Sequence, residues 1–203
     1  MLSRREMGAL CAALMLCLLV SLGAGWVTRQ VRTADALANH TLRLHIRADT
    51  DAVRDQSAKL AVRDAVLALT DADCPAGGKA EARAWAAASL VRLELTARQT
   101  LAARGIRAPV HACLVNMYFP TRRYEGASLP AGRYDAVRLD IGTGRPGRNW
   151  WCVLYPGLCR SACGGYDSPA ENDLVCGEYI LRFRLAEWWG EVAAPRQDIV
   201  LAG

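Results

Sequence analysis

The first 27 residues constrain this chain more than any other stretch does. Arg4 and Arg5 precede a run from Met7 to Val27 that is apolar apart from a few Gly, Ser and Cys residues. A basic start followed by an apolar run is typical of a secretory signal or a membrane anchor. By the positive-inside rule the basic end stays in the cytoplasm, so we expect everything after Val27 to be exported.

The fate of this segment is open from the sequence. Ser21 to Gly25 offers small residues that a signal peptidase accepts, whereas the length of the run suits a retained anchor. We therefore assign residues 1–27 to a signal peptide or membrane anchor, 28–41 to a connector and 42–203 to one exported domain. A chain of 203 residues is long enough for one domain with a sizeable core.

The charge distribution argues against one class of partner. The chain has 25 Lys and Arg residues against 20 Asp and Glu residues, for a net charge of +5 spread along its length. A nucleic-acid-binding surface would show clustered basic residues with interleaved aromatic residues. We therefore expect no nucleic-acid partner.

Residues 42–48 alternate apolar and polar side chains, which predicts a half-buried strand with Arg43, His45 and Arg47 on its polar face. Asp49-Thr50-Asp51 then predicts a turn and a helix N-cap. Two helices should follow, at 53–69 and at 79–104, the second closed by a glycine at position 105.

The second half of the domain predicts strands joined by turns. Apolar stretches indicate strands at 110–119, 134–141 and 150–155, of which the first two should form an antiparallel pair. We interpret 156–177 as an irregular loop. Residues 179–185 then form a strand followed by a short helix, or 178–192 form one helix. The fold class is α+β: a strand, two helices and an antiparallel sheet behind an N-terminal hydrophobic helix.

Six cysteines follow the apolar run, and export to an oxidising compartment favours disulfides among them. They are Cys74, Cys113, Cys152, Cys159, Cys163 and Cys176. Sequence cannot choose the pairing. We favour Cys152 with Cys159 and Cys163 with Cys176, because these bonds close short loops, and Cys74 with Cys113 by elimination.

Catalytic and metal sites are weakly supported. Cys152, His45 and Asn149 could serve as nucleophile, base and orienting group. An exported cysteine that lies seven residues before another cysteine more often forms a disulfide with it. The acidic residues at 49, 51 and 55 lack the glycine and glutamate of a calcium loop. We therefore predict no catalytic residue, no metal and no cofactor.

Asn149-Trp150-Trp151 is the strongest candidate for a binding segment. In a strand, Trp150 and Trp151 point to opposite faces, so one should pack in the core and the other should be exposed or cover a loop. An exposed Trp is a common anchor for a protein partner. We also take Asp49, Asp51 and Arg63 as candidate partner contacts.

Several motifs together resemble the stage II sporulation protein R family of endospore-forming Gram-positive bacteria. The matching stretches are 43–51 (RLHIRADTD), 55–56 (DQ), 59–64 (KLAVRD), 119–121 (FPT), 129–138 (LPAGRYDAVR), 147–159 (GRNWWCVLYPGLC) and the tail at 182–189. Two positions depart from the family pattern: Gly157 stands where a second Pro is common, and Asp49 where Asn is common.

The resemblance implies a signal rather than an enzyme. It implies export from the forespore into the intermembrane space, where the protein triggers a membrane-embedded aspartic protease of the mother cell. That protease then processes a pro-sigma factor. Two other functions stay open from the residues alone: an exported thiol-dependent hydrolase using Cys152, and a cell-wall-binding module using Trp.

Overall fold

The computed structural model describes residues 3–124, 127–143, 149–156 and 199–200. Its elements, in chain order, are α1 (Arg4–His40), β1 (Leu42–Arg47), α2 (Val53–Asp73), α3 (Lys79–Ala102), β2 (Val110–Phe119), β3 (Arg122–Tyr124), β4 (Ala127–Leu129), β5 (Gly132–Ile141), β6 (Trp150–Tyr155) and β7 (Ile199–Val200). The loop expected after Pro156 and the elements expected within 178–192 lie outside the described residues.

In the described part of the chain, five strands form one sheet in the order β6-β1-β5-β2-β7. The antiparallel pair β2–β5 is confirmed, and its register runs from Val110 opposite Ile141 to Phe119 opposite Gly132. The α+β class is confirmed too. The sheet is nevertheless mixed, not antiparallel throughout, because β1 pairs parallel with β5 and antiparallel with β6. The helical crossover through α2 and α3 makes a parallel neighbour for β1 possible.

Helices α2 and α3 cover one face of the sheet with an apolar layer. Apolar side chains recur three or four residues apart along both helices, so each presents one stripe to the strands. The buried members of this layer include Leu42, Leu44 and Ile46 of β1, Ala58, Val62 and Val66 of α2, and Ala82, Ala86, Leu93, Ala97 and Leu101 of α3. We call this the apolar face.

The start of α2 differs from the expected capping. The helix begins at Val53 as predicted, but its N-cap is Ala52, which has no side-chain cap bond. Thr50 organises the turn instead, since its hydroxyl donates to the Asp55 carboxylate and accepts the backbone N–H of Ala52. The expected turn is present, but the expected N-cap from Asp49-Thr50-Asp51 is wrong, because Ala52 takes that position.

The end of α3 follows the prediction closely. Gly105 has a left-handed φ of 68°. The N–H groups of Gly105 and Ile106 donate to the carbonyls of Ala102 and Leu101. This pair of bonds is a Schellman motif, which needs a residue that tolerates positive φ.

Helix α1 runs without a break from the apolar segment to His40. The segment expected as a connector is thus helical up to that residue. Its partly or fully buried positions recur along one side, from Val27 through Gln30 to Leu37 and Ala38. By length and composition α1 can cross a membrane, a property shared by signal sequences near an N-terminus. The folded domain therefore packs along α1 directly after the apolar run.

Candidate partner-binding site

The face of β1 that carries Arg43 and His45 is buried as well, so the prediction of a half-buried strand is wrong. Arg43 is 0% exposed and His45 is 2% exposed. Because β1 lies inside the sheet between β6 and β5, side chains from neighbouring strands enclose its polar residues. Facing them is a second cluster of Ala38, Cys113, Val115, Met117, Phe119, Tyr134 and Ala136, with Trp151 packed against it. We call this the polar face.

Arg43 is held among aromatic rings on this face. Its guanidinium carbon lies 4.1 Å from the centroid of the Phe119 ring and 5.0 Å from that of Tyr134. A desolvated cation–π contact contributes about 2 kcal/mol, which offsets part of the cost of burying the charge. The Tyr134 hydroxyl donates to the Pro130 carbonyl at 2.8 Å, so this ring is fixed from its far end.

Trp151 is part of the same aromatic group. Its ring centroid lies 4.6 Å from that of His45 and 4.8 Å, edge to face, from that of Phe119. The guanidinium carbon of Arg122, on β3, lies 4.9 Å from the Trp151 centroid. The ring is therefore enclosed by side chains from three strands and is half-buried.

His45 is neutral in this setting. Burial, followed by the nearby positive charge of Arg47, lowers its pKa to about 3. The Asn149 side chain lies close enough to influence that pKa, but among the described residues neither ring nitrogen has a hydrogen-bond partner of normal geometry. His45 therefore acts as a packed ring and not as a charged group.

An ion pair closes the end of the polar face. Arg47 donates two hydrogen bonds to the Asp140 carboxylate, at 2.5 and 2.7 Å, and the Nε of Arg138 lies 3.3 Å from the same group. Bidentate Arg–carboxylate pairs fix geometry as well as contributing energy. This pair therefore locks the ends of the parallel strands β1 and β5.

Trp150 lies on the apolar face, so the two tryptophans point to opposite faces of the sheet as predicted. It is half-buried and packs against the core layer. The guanidinium carbon of Arg63, on α2, lies 5.4 Å from the Trp150 ring centroid. Both tryptophans thus have packed and accessible portions, whereas we expected one in the core and one that is exposed or covers a loop.

Asp49 ties two turns together at this end of the sheet. Its carboxylate accepts hydrogen bonds from the backbone N–H of Thr143 at 2.9 Å and from the hydroxyl of Thr143 at 2.8 Å. Gly142 has a φ of 73°, and a side chain there would overlap Asp49. Asp51 remains exposed, with the Gln56 amide 3.4 Å from its carboxylate.

The structure therefore divides the six candidate contacts. Asp49, Asp51 and Trp150 lie where β1 and β5 end and β6 begins, and Arg63 joins them through its contact with Trp150. Asn149 and Trp151 lie toward the polar face. We call Trp150 and Arg63 the Trp150 surface; Asp51 lies at the same end of the sheet.

The position of Cys152 rules out its pairing with His45 as a nucleophile. Cys152 pairs across the strands with Leu44 and is 1% exposed in the apolar core, whereas His45 pairs with Trp151 on the other face. A Cys152–His45 nucleophile pair is therefore wrong. Cys152 is disulfide-bonded, and its pairing with Cys159 lies outside the described residues, as does that of Cys163 with Cys176.

The predicted bond between Cys74 and Cys113 is also wrong. Both thiols are free. The reason is topological, because Cys74 packs on the apolar face and Cys113 on the polar face, with the sheet between them. Burial raises the pKa of both thiols, which keeps them protonated. Within the described residues, no three His, Cys, Asp or Glu side chains are grouped to hold a metal ion.

Sequence reasoning missed the Arg43–His45–Phe119–Tyr134 group. Alternation along β1 assigned its charged residues to solvent, since alternation cannot tell whether a strand is central or at an edge. The available signal was the presence of Phe119 and Tyr134 on two other predicted strands of the same domain, where their rings could cover Arg43 and His45.

Comparison with known proteins agrees with the motifs. The profile of the family described as stage II sporulation protein R matches residues 38–164. The chain is 33% identical over 124 residues to the stage II sporulation protein R of Bacillus subtilis (strain 168), covering 61% of this chain and 55% of that relative. No solved structure matches the chain. The matched region contains every strand of the sheet except β7, and all six candidate contacts.

Proposed function

This chain belongs to the stage II sporulation protein R family and so has a role in sporulation, and on that premise we propose that it is an intercompartmental signal. In this proposal it is made in the forespore and activates a membrane-embedded aspartic protease of the mother cell. The active protease then processes a pro-sigma factor. The chain itself supplies binding and no catalysis.

The N-terminal helix supports export and a position close to the membrane. Trp26, at the end of the apolar run, is 44% exposed, and Arg29 and Arg32 follow on exposed positions. Aromatic and basic residues at the end of a span are typical of a membrane interface. Because the domain packs along α1 from Val27 onward, a retained anchor would hold it at the membrane surface, within reach of a partner embedded in the opposing membrane.

The Trp150 surface is the observation that carries the binding proposal. Trp and Arg are the residue types most often found to dominate binding energy at protein interfaces. Here both come from rigid elements, β6 and α2, and they are already in contact. A preformed pair of this kind loses little conformational entropy on binding.

We propose that activation works by differential affinity. If the domain binds the extracytoplasmic region of the protease more tightly in its active, dimeric state, the population shifts toward that state. No covalent chemistry in the signal protein is needed. The buried, disulfide-bonded Cys152 and the neutral His45 on the other face support a binding role over the thiol-dependent hydrolase.

The test is reconstitution in a host that does not sporulate. The full chain would be co-expressed with the candidate protease and its pro-sigma substrate, and conversion of the pro-form would be followed by gel. A variant lacking residues 4–27 serves as the control for export. We expect conversion with the full chain and none with the control.

Absence of conversion, with export and folding of the full chain confirmed, would contradict the proposal. The remaining hypotheses would then be separated directly. A thiol-dependent hydrolase requires an alkylatable Cys152, and a cell-wall-binding module requires binding to purified peptidoglycan without the protease.

A further inference from the structure

Helix α3 carries an exposed seam on the side turned away from the sheet. The exposed residues recur at alternating spacings of three and four: Glu81, Ala84, Ala88, Val91, Leu95, Arg98 and Ala102. This is the heptad pattern of a two-helix coiled coil. The row runs from Glu81 to Ala102, a length of about 32 Å along the helix.

Within the part of the chain that the structure describes, the seam is exposed. The opposite side of α3 is already buried against the sheet through Ala82, Ala86, Leu93, Ala97 and Leu101. Val91 is 78% exposed and Leu95 53% exposed, in the middle of the seam. Scattered exposed apolar residues need no explanation, but a continuous row in heptad register marks an interaction surface.

We propose that α3 packs antiparallel against α3 of a second copy of this chain. In an antiparallel coiled coil, each a position of one helix lies opposite a d position of the other. If the two-fold axis passes between Ala88 and Val91, Ala84 lies opposite Leu95 and Ala88 lies opposite Val91. Each of these layers then combines a small side chain with a larger one. The layers therefore have similar volumes, and the distance between the helix axes can stay constant along the pair.

The charges at the ends of the seam fit the same register. Glu81 of one copy falls opposite Arg98 of the other, and the two-fold symmetry repeats the pair at the far end. Within the chain, Arg98 already bonds Glu94 and the Val110 carbonyl through Nη2. A guanidinium has five N–H donors, so Arg98 can also serve the opposing Glu81. A parallel pair would place Glu81 against Glu81, which disfavours that alternative.

A groove beside the seam accommodates the larger side chain. Asp73 of α2 and Trp85, Ala88, Ser89 and Arg92 of α3 line an open space of about 450 Å³. In the proposed register, Leu95 of the second copy lies next to Trp85 and Ala88 at its rim. The interface is isologous, with the same patch used on both copies, which is the usual form of a closed dimer.

This surface is separate from the Trp150 surface and does not depend on the proposed function. Sedimentation of the full chain in detergent micelles, over a range of concentrations, tests it. We expect a dimer, converted to monomer by Leu95→Arg with at least a tenfold rise in the dissociation constant. Val53→Arg is the matched control, because Val53 is 86% exposed on α2 and lies outside the seam.

Charge reversal tests the register. Glu81→Arg and Arg98→Glu should each weaken the dimer, and the double variant should restore it, with circular dichroism confirming the fold of each. A monomer at all concentrations, a dimer unaffected by Leu95→Arg, or no restoration in the double variant would overturn the proposal.

Discussion

The two faces of β1 are stabilised by different interactions. On the apolar face, Leu42, Leu44 and Ile46 pack against helices, and the pattern of side chains alone explains the contact. On the polar face, Arg43 and His45 are equally buried but lie among aromatic rings. Burying a charge costs more than burying a leucine unless specific partners compensate for it.

The geometry of this domain is specified mainly on the polar face. Apolar layers tolerate exchange of similar volumes, because their contacts have no direction. The polar face depends on stacking distances and on the orientation of guanidinium groups, so it fixes the position of β6 relative to β1. That strand carries both tryptophans of the candidate site.

The largest effect should come from the apolar face. Leu44→Ala leaves a cavity beneath α2 and α3, and we expect the free energy of unfolding to fall by about 2–5 kcal/mol. Leu44→Met, which nearly conserves volume, should cost less than about 1.5 kcal/mol. Denaturant unfolding of the full chain in micelles measures both. Equal losses for the two variants would show that this face also demands a particular shape.

The polar face should respond to acid through His45. Its folded pKa of about 3 lies below the ordinary value of 6.5, so the unfolded chain binds an extra proton between these two pH values. Stability from this residue is complete above pH 6.5 and falls on acidification, by about 1.4 kcal/mol per pH unit.

His45→Gln should remove that part of the pH dependence between pH 6.5 and 4.5. His111→Gln is the matched comparison, since it removes a histidine whose side chain is 73% exposed and leaves His45 in place, so the acid dependence that comes from His45 should persist. A profile that is the same in wild type and His45→Gln would mean that the ring is not held neutral in the fold.

The smallest of the three effects concerns the Arg47–Asp140 pair. Arg47→Lys keeps the charge but cannot form the two parallel bonds, and we expect a loss of about 1–2 kcal/mol. Arg92→Lys makes the same change in a more exposed pair with Asp73, where the cost should stay below about 1 kcal/mol. Thermal unfolding compares the two. If Arg92→Lys lowers stability as much as Arg47→Lys, the bidentate geometry of the Arg47–Asp140 pair adds no stability beyond that of an exposed ion pair.

The apolar face could be derived from the sequence almost completely. Periodicity predicted the start of α2, and Gly105 predicted the end of α3 within two residues, because local spacing and a positive φ leave direct traces. The turn-rich connection predicted the pairing of β2 with β5. These features depend on residues close together in the chain.

The polar face could not be derived in the same way. Whether Arg43 is buried depends on which strands flank β1, and that is decided by the non-local pairing with β5 and β6. The same pairing separates Cys152 from His45, which sequence reasoning had considered together. The opposite orientations of Trp150 and Trp151 were predictable, but their contacts with Arg63 and Arg122 were not.

Pro-sigma processing by Trp150→Ala, compared with Tyr155→Ala, tests whether the Trp150 surface binds the partner. Trp150 and Tyr155 lie at opposite ends of β6, and both pack partly against the apolar core. At equal amounts of exported, folded protein, we predict that Trp150→Ala reduces processing about tenfold or more, as expected for a hot-spot residue, while Tyr155→Ala retains it. Equal processing by the two variants would contradict the assignment of partner binding to the Trp150 surface.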